Sequence, residues 1–221
     1  MQKANEISNA DFSEELIFPS PVIQINTNKI QMNHKKLITL LNQYGTISET
    51  EQQNIENYFI PTQVKRKQVL IEKNSPCNKL FFINNGLLRA YYTSEKGVEV
   101  TRMIAWENRF LTNIGSFKNM TENNETIECV ENAEILYINR MNFEKLISSS
   151  LNIKSIYADI IEEYNILHTQ RFEQLNCKDS LGKLKYFKEN FHPLHNRIND
   201  SLLASFLSVS RKTVERLKKN N

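Results

Sequence analysis

The apolar residues of this 221-residue chain change their spacing twice, and this change limits the folds that the chain can adopt. Between Pro61 and about Ile138, short apolar runs alternate with turn residues. That pattern is typical of many short strands in a sandwich or rolled barrel with an apolar interior. The segments on either side have helical spacing instead. The sequence therefore predicts an α+β fold in which a strand-rich domain lies between helical segments.

Two hairpins are predicted within the strand-rich part. In the first, residues 80–83 and 87–92 flank a turn at residues 84–86, whose sequence Asn-Asn-Gly favours a tight reversal. In the second, residues 95–97 (Glu-Lys-Gly) separate Tyr91 and Tyr92 from a strand that contains Val98, Val100 and Met103. Val69 and Ile71 alternate as in a strand. Further strands are expected at residues 110–112, 126–130 and 133–138.

The helical segments set the predicted domain boundaries. Residues 1–32 are polar and rich in Asn and Ser, which predicts a loosely ordered N-terminal extension. Two short helices are expected from about Asn33 to Phe59, the second of which starts at a capping box of Ser48 and Glu51. The strand-rich domain with its flanking helices covers residues 33–147, a long helix covers residues 148–176, and a C-terminal domain covers residues 177–221.

The long helical stretch, from Phe143 to about Leu175, contains one regular apolar stripe. Its members are Ile153, Tyr157, Ile160, Tyr164 and Leu167. Their separations of four, three, four and three residues are those of a short coiled coil, so the stripe predicts dimerisation through this helix. The alternative is that the same stripe packs on the strand domain. Ile156, Ile161 and Phe172 lie on a flanking face of the helix, and they indicate that part of this surface must pack there.

Residues 199–221 have the pattern of two short helices joined by a tight turn. Asn199 and Ser210 can cap the two helices, and Ser208 lies where the turn is needed. The inward positions are Leu202, Leu203, Phe206, Leu207, Thr213, Val214 and Leu217, and the outward positions of the second helix are Arg211, Lys212, Glu215, Arg216, Lys218 and Lys219. This pattern predicts a helix-turn-helix with a basic recognition helix. The alternative is an amphipathic helical hairpin with an ordinary solvated face.

The charge of the chain is concentrated at its C-terminal end. From Lys178 onward there are ten Lys and Arg against four Asp and Glu, a surplus of six, although the formal net charge of the chain is only +3. Such an asymmetry indicates a basic module that binds a polyanion, with DNA as the leading candidate and a membrane surface as the rival. No apolar run approaches the roughly 18 residues of a membrane span. We therefore expect a cytoplasmic protein.

The residue types needed for most enzyme sites are absent or scattered. The five glycines are too far apart to form a phosphate-binding loop. None of the four histidines, His34, His168, His192 and His195, falls in a predicted strand, which argues against a metal-binding barrel. The three cysteines, Cys77, Cys129 and Cys177, form neither a disulfide framework nor a metal pair. The sequence predicts no metal, no cofactor and no enzymatic activity.

The order of these parts resembles the Crp/Fnr superfamily of transcription regulators, named after the cyclic-AMP receptor and the fumarate-nitrate regulator. The resemblance extends from about Asn33 to the C-terminus, and its most specific part is the run VSRKTVER at residues 209–216. The compact form is most similar to the Crp/Fnr-type regulators of Bacteroidetes bacteria. The resemblance implies an N-terminal double-stranded β-helix (a cyclic-nucleotide-binding-like jelly roll), a dimerisation helix, and a helix-turn-helix that lacks most of the family's C-terminal wing.

The resemblance also implies roles for residues of the second terminal helix. Arg211, Lys212 and Arg216 would face base edges, Ser210 and Thr213 would contact phosphate, and Lys219 would lie on the same DNA-binding surface. Lys212 stands where the best-known members carry an acidic residue that accepts from cytosine, so we expect a guanine preference at that step. The implied partners are double-stranded DNA and a second copy of the chain, with RNA polymerase as a further candidate.

The family's ligand cassette is degenerate in this chain. Members that bind cyclic AMP carry a Gly-Glu pair and, several residues later, an Arg-Ser pair on the cyclic phosphate. The matching positions here are Asn113, Ile114 and Gly115, followed by Asn123 and Asn124. No arginine lies between Arg109 and Arg140, so a phosphate would meet Glu122 and Glu125 with no cation to offset them.

Together these patterns predict a dimeric, DNA-binding transcription regulator that does not respond to cyclic AMP and whose effector is unknown. The alternative is a ligand-binding or protein-interaction module with a cyclic-nucleotide-binding-like fold that does not bind DNA.

Overall fold

The computed structural model describes residues 27–219, so residues 1–26 of the predicted extension, and Asn220 and Asn221, lie outside the described residues. The helices are α1 (Thr27–Leu41), α2 (Glu49–Tyr58), α3 (Ile114–Asn119), α4 (Arg140–Ser149), α5 (Leu151–Cys177), α6 (Ser180–Asn190), α7 (Asp200–Leu207) and α8 (Arg211–Lys219), with a short 3-10 helix at His192–Leu194. The strands are β1 (Ile60–Val64), β2 (Val69–Ile71), β3 (Lys79–Asn85), β4 (Leu88–Thr93), β5 (Glu99–Ala105), β6 (Phe110–Leu111), β7 (Thr126–Cys129) and β8 (Ala133–Asn139).

The strands form two antiparallel sheets, in the orders β1-β8-β3-β6 and β2-β7-β4-β5. Their inner faces enclose an apolar core that includes Phe82, Leu88, Ile127 and Leu136, each no more than 1% exposed. Buried residues of α1, α2, α4 and α5 extend the same core. The structure therefore contains the predicted strand-rich domain with an apolar interior, and we call this domain the roll.

The first predicted hairpin is wrong, because its two arms belong to different sheets. Strand β3 pairs with β6 and β8, whereas β4 pairs with β5 and β7. Gly86 carries the chain from one sheet to the other with a φ of 104°, and a Cβ atom at this position would lie 2.5 Å from the Cβ of Ala133. Only glycine fits such a corner. A turn signal in the sequence does not say whether the chain returns to the same sheet.

The second predicted hairpin is confirmed, and it contains a β-bulge. Strand β4 pairs with β5 through Gly97, whose φ is 75°. In this ladder Ala90 pairs with Met103 and Tyr91 pairs with Thr101, so that Arg102 is an extra residue on β5. Bulges commonly re-aim a side chain near a functional site. Here the bulge coincides with a residue whose side chain contacts the predicted ligand cassette.

The helices differ from the predictions in three places. Helix α1 begins at Thr27, before the predicted start at about Asn33. The predicted single helical stretch from Phe143 is divided, because Ser150 adopts an extended conformation and its hydroxyl accepts from the amide of Ile153 at 3.2 Å, which starts α5. Helix α3 lies in a segment for which the sequence predicts neither a helix nor a strand.

The predicted dimerisation stripe on α5 is wrong for most of its members, because it faces the roll of its own chain. Ile153 and Ile160 are only 5% and 6% exposed, and Tyr157 and Tyr164 pack against the same core. The Tyr164 hydroxyl also accepts from the amide of Phe110 at 2.8 Å. Leu167, at 39% exposure, is the most exposed member. The alternative interpretation, that the stripe packs on the strand domain, is the correct one.

The flanking face of α5 is divided between the core and the surface. Ile156 is 2% exposed and lies in the core of the roll, whereas Phe172 is 68% exposed. Heptad spacing in the sequence detects a buried helical face but does not identify its partner. In this chain the roll is that partner.

The predicted capping box at α2 is confirmed, and it anchors the helix to the rest of the fold. The Glu51 amide donates to the Ser48 hydroxyl, and the Ser48 amide donates to the Glu51 carboxylate at 2.8 Å. The same carboxylate accepts from the Ser150 hydroxyl and, at 3.2 Å, from the Asn152 amide. Burial acts to raise the pKa of Glu51, but the hydrogen bonds from Ser150, Ser48 and Asn152 lower it to about 2.

The low pKa of Glu51 predicts a pH dependence of stability. Since the carboxylate is favoured in the folded state, its contribution is present above the ordinary pKa of about 4.5 and is lost as the pH falls toward 2. Glu51→Gln should lower the urea midpoint at pH 7 and flatten its dependence between pH 5 and pH 2. Glu49→Gln, an exposed carboxylate in the same helical turn, is the control and should change both quantities much less. Equal effects of the two substitutions would contradict this assignment.

Candidate nucleic-acid interface

The two terminal helices, α7 and α8, pack against each other through a tight turn, and we call them the terminal helix pair. The Asn199 side chain caps α7 by accepting from the amide of Leu202 at 2.9 Å. Ser208 ends α7 in the left-handed conformation, with a φ of 55°, and the Val209 amide then donates to the carbonyl of Ala204 at 3.0 Å. Ser210 caps α8 by accepting from the amide of Thr213 at 3.1 Å. Each of these capping and turn positions is as the sequence predicts.

The inward positions of the helix pair form a second apolar core. Val214 of α8 is 1% exposed, and Leu217 packs on the same cluster while remaining partly exposed. The other buried members of this cluster are Leu87, Ile104, Leu184, Phe187, Leu194, Leu202, Leu203, Ala204, Phe206 and Leu207. Because Leu87 and Ile104 belong to the roll, the second core also attaches the helix pair to the roll.

The outward face of α8 exposes the predicted basic residues. Arg211, Lys212, Arg216 and Lys219 are all exposed, and they lie within nine residues of one helix. Ser210 is exposed, whereas Thr213 is partly buried, and their hydroxyls lie 2.8 Å apart. The predicted DNA-binding residues thus lie together on α8 and at its N-terminal cap, and all of them except Thr213 are exposed.

Two acidic residues pair with cations of α8. The Glu215 carboxylate accepts from Nε of Arg211 at 2.8 Å, one helical turn away. Asp200 of α7 accepts from Nζ of Lys218. The sequence placed Glu215 on the outward face but gave it no role. Its spacing of four residues from Arg211 was the available signal for the pair.

Polar contacts hold the terminal helix pair on strand β5 of the roll. The Ser205 hydroxyl accepts from the Thr101 amide at 2.9 Å and donates to the Glu99 carbonyl at 2.9 Å. From α5, Nη2 of Arg171 donates to the carbonyls of Thr101 and Phe206 at 3.2 and 2.7 Å, and its guanidinium lies 4.2 Å from the centre of the Phe206 ring. Burial lowers the pKa of Arg171 to about 10. Strand β5, the long helix and α7 therefore meet at one guanidinium.

A second arginine fixes the segment that leads into α7. Arg197 donates to both carboxylate oxygens of Glu107 at 2.9 and 3.0 Å and also pairs with Glu131. Hydrogen bonds to these two carboxylates raise the pKa of Arg197. Glu107 in turn accepts from the amide of Gly86, the residue at the corner between the sheets. The position of the helix pair is thus tied to the corner of the roll.

The predicted ligand cassette is closed by its own side chains. The Asn113 amide donates to the side chains of Asn123, Asn124 and Glu125 at 3.0, 3.4 and 3.3 Å, and its oxygen caps α3 by accepting from the Ser116 amide. Asn123 is 1% exposed. Gly115 lies in the first turn of α3, and Ile114 is 45% exposed on that helix instead of facing the cassette.

The cassette does contain a cation, which corrects the prediction that Glu125 has none. Nε of Arg102, on the bulge of β5, pairs with the Glu125 carboxylate, and Nη2 of Arg102 donates to the Thr112 carbonyl at 3.1 Å. Glu125 is 3% exposed, so its charge is neutralised inside the protein. The pKa of His168, on α5, is lowered by burial and then by Arg102 and Arg171. Strand pairing brings Arg102 to Glu125 across 23 positions of sequence, which local spacing cannot show.

Comparisons with known proteins identify the fold of the roll. Residues 61–150 match the family model of the cyclic nucleotide-binding domain. The roll has the fold of that domain. The structure of the regulator FixK2 from Bradyrhizobium japonicum is similar, with a TM-score of 0.63, 10% sequence identity, and coverage of 73% of this chain and 83% of FixK2. No curated protein matches the chain.

Two further solved structures are similar to this chain in fold. The c-di-GMP-responsive global regulator CLP from Xanthomonas campestris has a TM-score of 0.62 and 13% identity, over 78% of this chain and 91% of CLP. A protein from Eubacterium rectale assigned to the Crp/Fnr family of transcriptional regulators has a TM-score of 0.64 and 17% identity, over 82% and 85% of the two chains. The roll and the long helix that follows it therefore have the fold that these solved structures share.

The contacts that attach the helix pair to the roll should contribute measurably to the free energy of unfolding. Arg197→Ala leaves two partly buried carboxylates without their cation, and it should lower the free energy of unfolding by about 1 kcal/mol. Thermolysin cleavage before Ile198, one residue after the substituted position, should also become faster. Arg211→Ala, which removes an ion pair whose arginine is 66% exposed, is the control for stability. Unchanged unfolding and cleavage in Arg197→Ala would show that this contact does not hold the helix pair.

Proposed function

We propose that the chain is a Crp/Fnr-type transcription regulator that binds double-stranded DNA through α7 and α8, acting as a helix-turn-helix. The observation that carries this proposal is the two-sided character of α8. Val214 is buried in the second core, while Arg211, Lys212, Arg216 and Lys219 are exposed together. A helix of this kind can enter a major groove, where arginine and lysine donate to O6 and N7 of guanine. On this proposal the chain acts in the cytoplasm and is not an enzyme.

We further propose that the regulator is a dimer, since readers of this type contact two half-sites about 34 Å apart. The stripe that would join the two copies is the outward face of α5. Leu151, Ala158, Asn165 and Phe172 recur at intervals of seven and are exposed, Leu151 by 86% and Phe172 by 68%. Positions three residues further on are Lys154, Ile161, His168 and Leu175. This is heptad spacing, and a central Asn at such a seam favours a parallel pair in one register.

The proposed regulator does not respond to cyclic AMP. The support for this is the closed cassette, in which the Asn113 side-chain amide donates to the side chains of Asn123 and Asn124, and Arg102 is paired with Glu125. A cyclic phosphate would have to displace the buried Glu125 carboxylate from the partly exposed Arg102. Breaking one partner out of a buried ion pair is strongly unfavourable.

The proposal predicts that the full-length protein selects a two-fold DNA site from a random duplex library without added cyclic AMP. Each half-site should contain guanine, and Arg216→Ala should lose roughly 1–3 kcal/mol of discrimination at one base pair per half-site. Cyclic AMP should leave the affinity unchanged. Affinity should fall with salt by about 0.9 log units per log of salt for each phosphate neutralised.

Lys145→Ala, which removes an exposed cation on α4 of the roll, is the control and should leave the selected site unchanged. No enriched site at any salt concentration would contradict DNA binding. The alternative of a module that binds a protein or a small ligand would then be favoured.

The proposed dimer seam predicts that Phe172→Asp raises the dimer dissociation constant by roughly tenfold or more, as expected for an apolar anchor at an interface. Thermal unfolding of the roll should be unaffected because Phe172 is exposed. Ile166→Asp changes an apolar residue that is 52% exposed on another face of α5, and it is the matched control. Sedimentation equilibrium measures both variants. If both substitutions weaken the dimer equally, or if neither weakens it, the dimer seam does not lie at Phe172.

A further inference from the structure

The outward face of α8 carries one carboxylate among its cations. Glu215 lies between Arg211 and Lys219 in steps of four residues, so the three side chains follow one line along the helix. Its side chain is 42% exposed. A negative charge at the centre of a surface that binds a polyanion weakens attraction to phosphate. A carboxylate at this place therefore opposes general DNA affinity.

The geometry of the pair leaves the base-reading atoms of Arg211 available. The Glu215 carboxylate accepts from Nε of Arg211 at 2.8 Å. A guanidinium has five N–H groups in one plane, and the bond to Nε uses one of them. The two terminal nitrogens, which form the fork that recognises O6 and N7 of guanine, keep their hydrogens. The carboxylate thus fixes the plane of the group without occupying the fork.

Fixing that plane changes the energetics of base recognition. A free arginine side chain loses rotamer freedom when it binds a base edge, and a preorganised side chain loses less. A guanidinium held in one plane also has fewer orientations in which its terminal nitrogens can donate to a phosphate or to a wrong base. The expected result is better discrimination at one base pair together with lower affinity for DNA of any sequence.

We propose that Glu215 is a positioning residue that orients Arg211 toward one guanine in each half-site. The proposal rests on the proposed function of α8 as a DNA reader. It names a determinant of specificity that lies in the recognition helix without itself contacting the base. The other acidic residue beside α8, Asp200, pairs with Lys218 and belongs to α7, so it offers the same charge without the contact to Arg211.

The test compares Glu215→Ala with Asp200→Asn in the full-length protein. Arg211→Ala first identifies the guanine that Arg211 reads, as the base pair whose preference it abolishes. Dissociation constants are then measured for the selected duplex, for duplexes substituted at that base pair, and for an unrelated duplex. Circular dichroism confirms that the variants remain helical, and alanine is a favourable residue at this helical position.

Glu215→Ala should reduce discrimination at the Arg211 base pair by roughly fivefold to tenfold, within the range of one bidentate contact. It should also raise affinity for the unrelated duplex by roughly twofold or more, because one negative charge is removed. Asp200→Asn should raise the unrelated affinity but leave discrimination unchanged. Glu215→Gln, which keeps an acceptor of the same shape, should retain part of the discrimination.

Two results would overturn the proposal. Full discrimination in Glu215→Ala would show that the pair does not orient Arg211. Loss of discrimination at a different base pair would show that Glu215 reads a base directly. Failure of the unmodified protein to select any site is a separate result, because it overturns the proposed DNA binding and this inference with it.

Discussion

The packing of helix α5 on the roll determines the arrangement of the rest of the molecule. Ile153, Ile156 and Ile160 are buried in the core of the roll, and this fixes the rotation of the helix about its own axis. One consequence is that the face with Leu151, Ala158, Asn165 and Phe172 points away from the roll. The other is that Arg171, further along the buried side, reaches both the Thr101 carbonyl of the roll and the Phe206 carbonyl of the helix pair.

Strand β5 contacts both the terminal helix pair and the cassette. Thr101 bonds to Ser205 of the helix pair, and its neighbour Arg102 pairs with Glu125 in the closed cassette. The structure thus links the cassette to α7 through adjacent residues of β5. In a protein whose cassette accepted a ligand, a movement of this strand would reach α7 directly. In this chain Arg102, at the bulge of the strand, is paired with the Glu125 carboxylate.

Sequence patterns predicted features that depend on nearby residues, but they did not predict which strands and helices pack against each other. The caps at Ser48, Asn199 and Ser210 were predictable because a cap depends on residues within one helical turn. The hairpin through Gly86 was mispredicted because the same turn residues serve a corner between sheets.

The predictions for the α5 stripe and for the charge of the cassette were wrong for a related reason. Regular apolar spacing shows that Ile153 and Ile160 are buried, but either the roll or a second copy could bury them. The partner of Glu125 was missed because Arg102 lies outside the segment that carries the cassette and reaches it only through strand pairing. The exposed cations of α8 were predictable from helical spacing, whereas the contact between Glu215 and Arg211 became visible only in the structure.

The bulge on β5 supplies the cation of the cassette. Arg102 is the extra residue in the ladder, and the pairs on either side of it, Ala90 with Met103 and Tyr91 with Thr101, would be consecutive without it. The internal cation is therefore an addition to a hairpin that is already complete. Deleting this single residue would let every flanking pair keep its partner but would remove the cation that pairs with Glu125, so the charge balance of the cassette depends on one bulge residue.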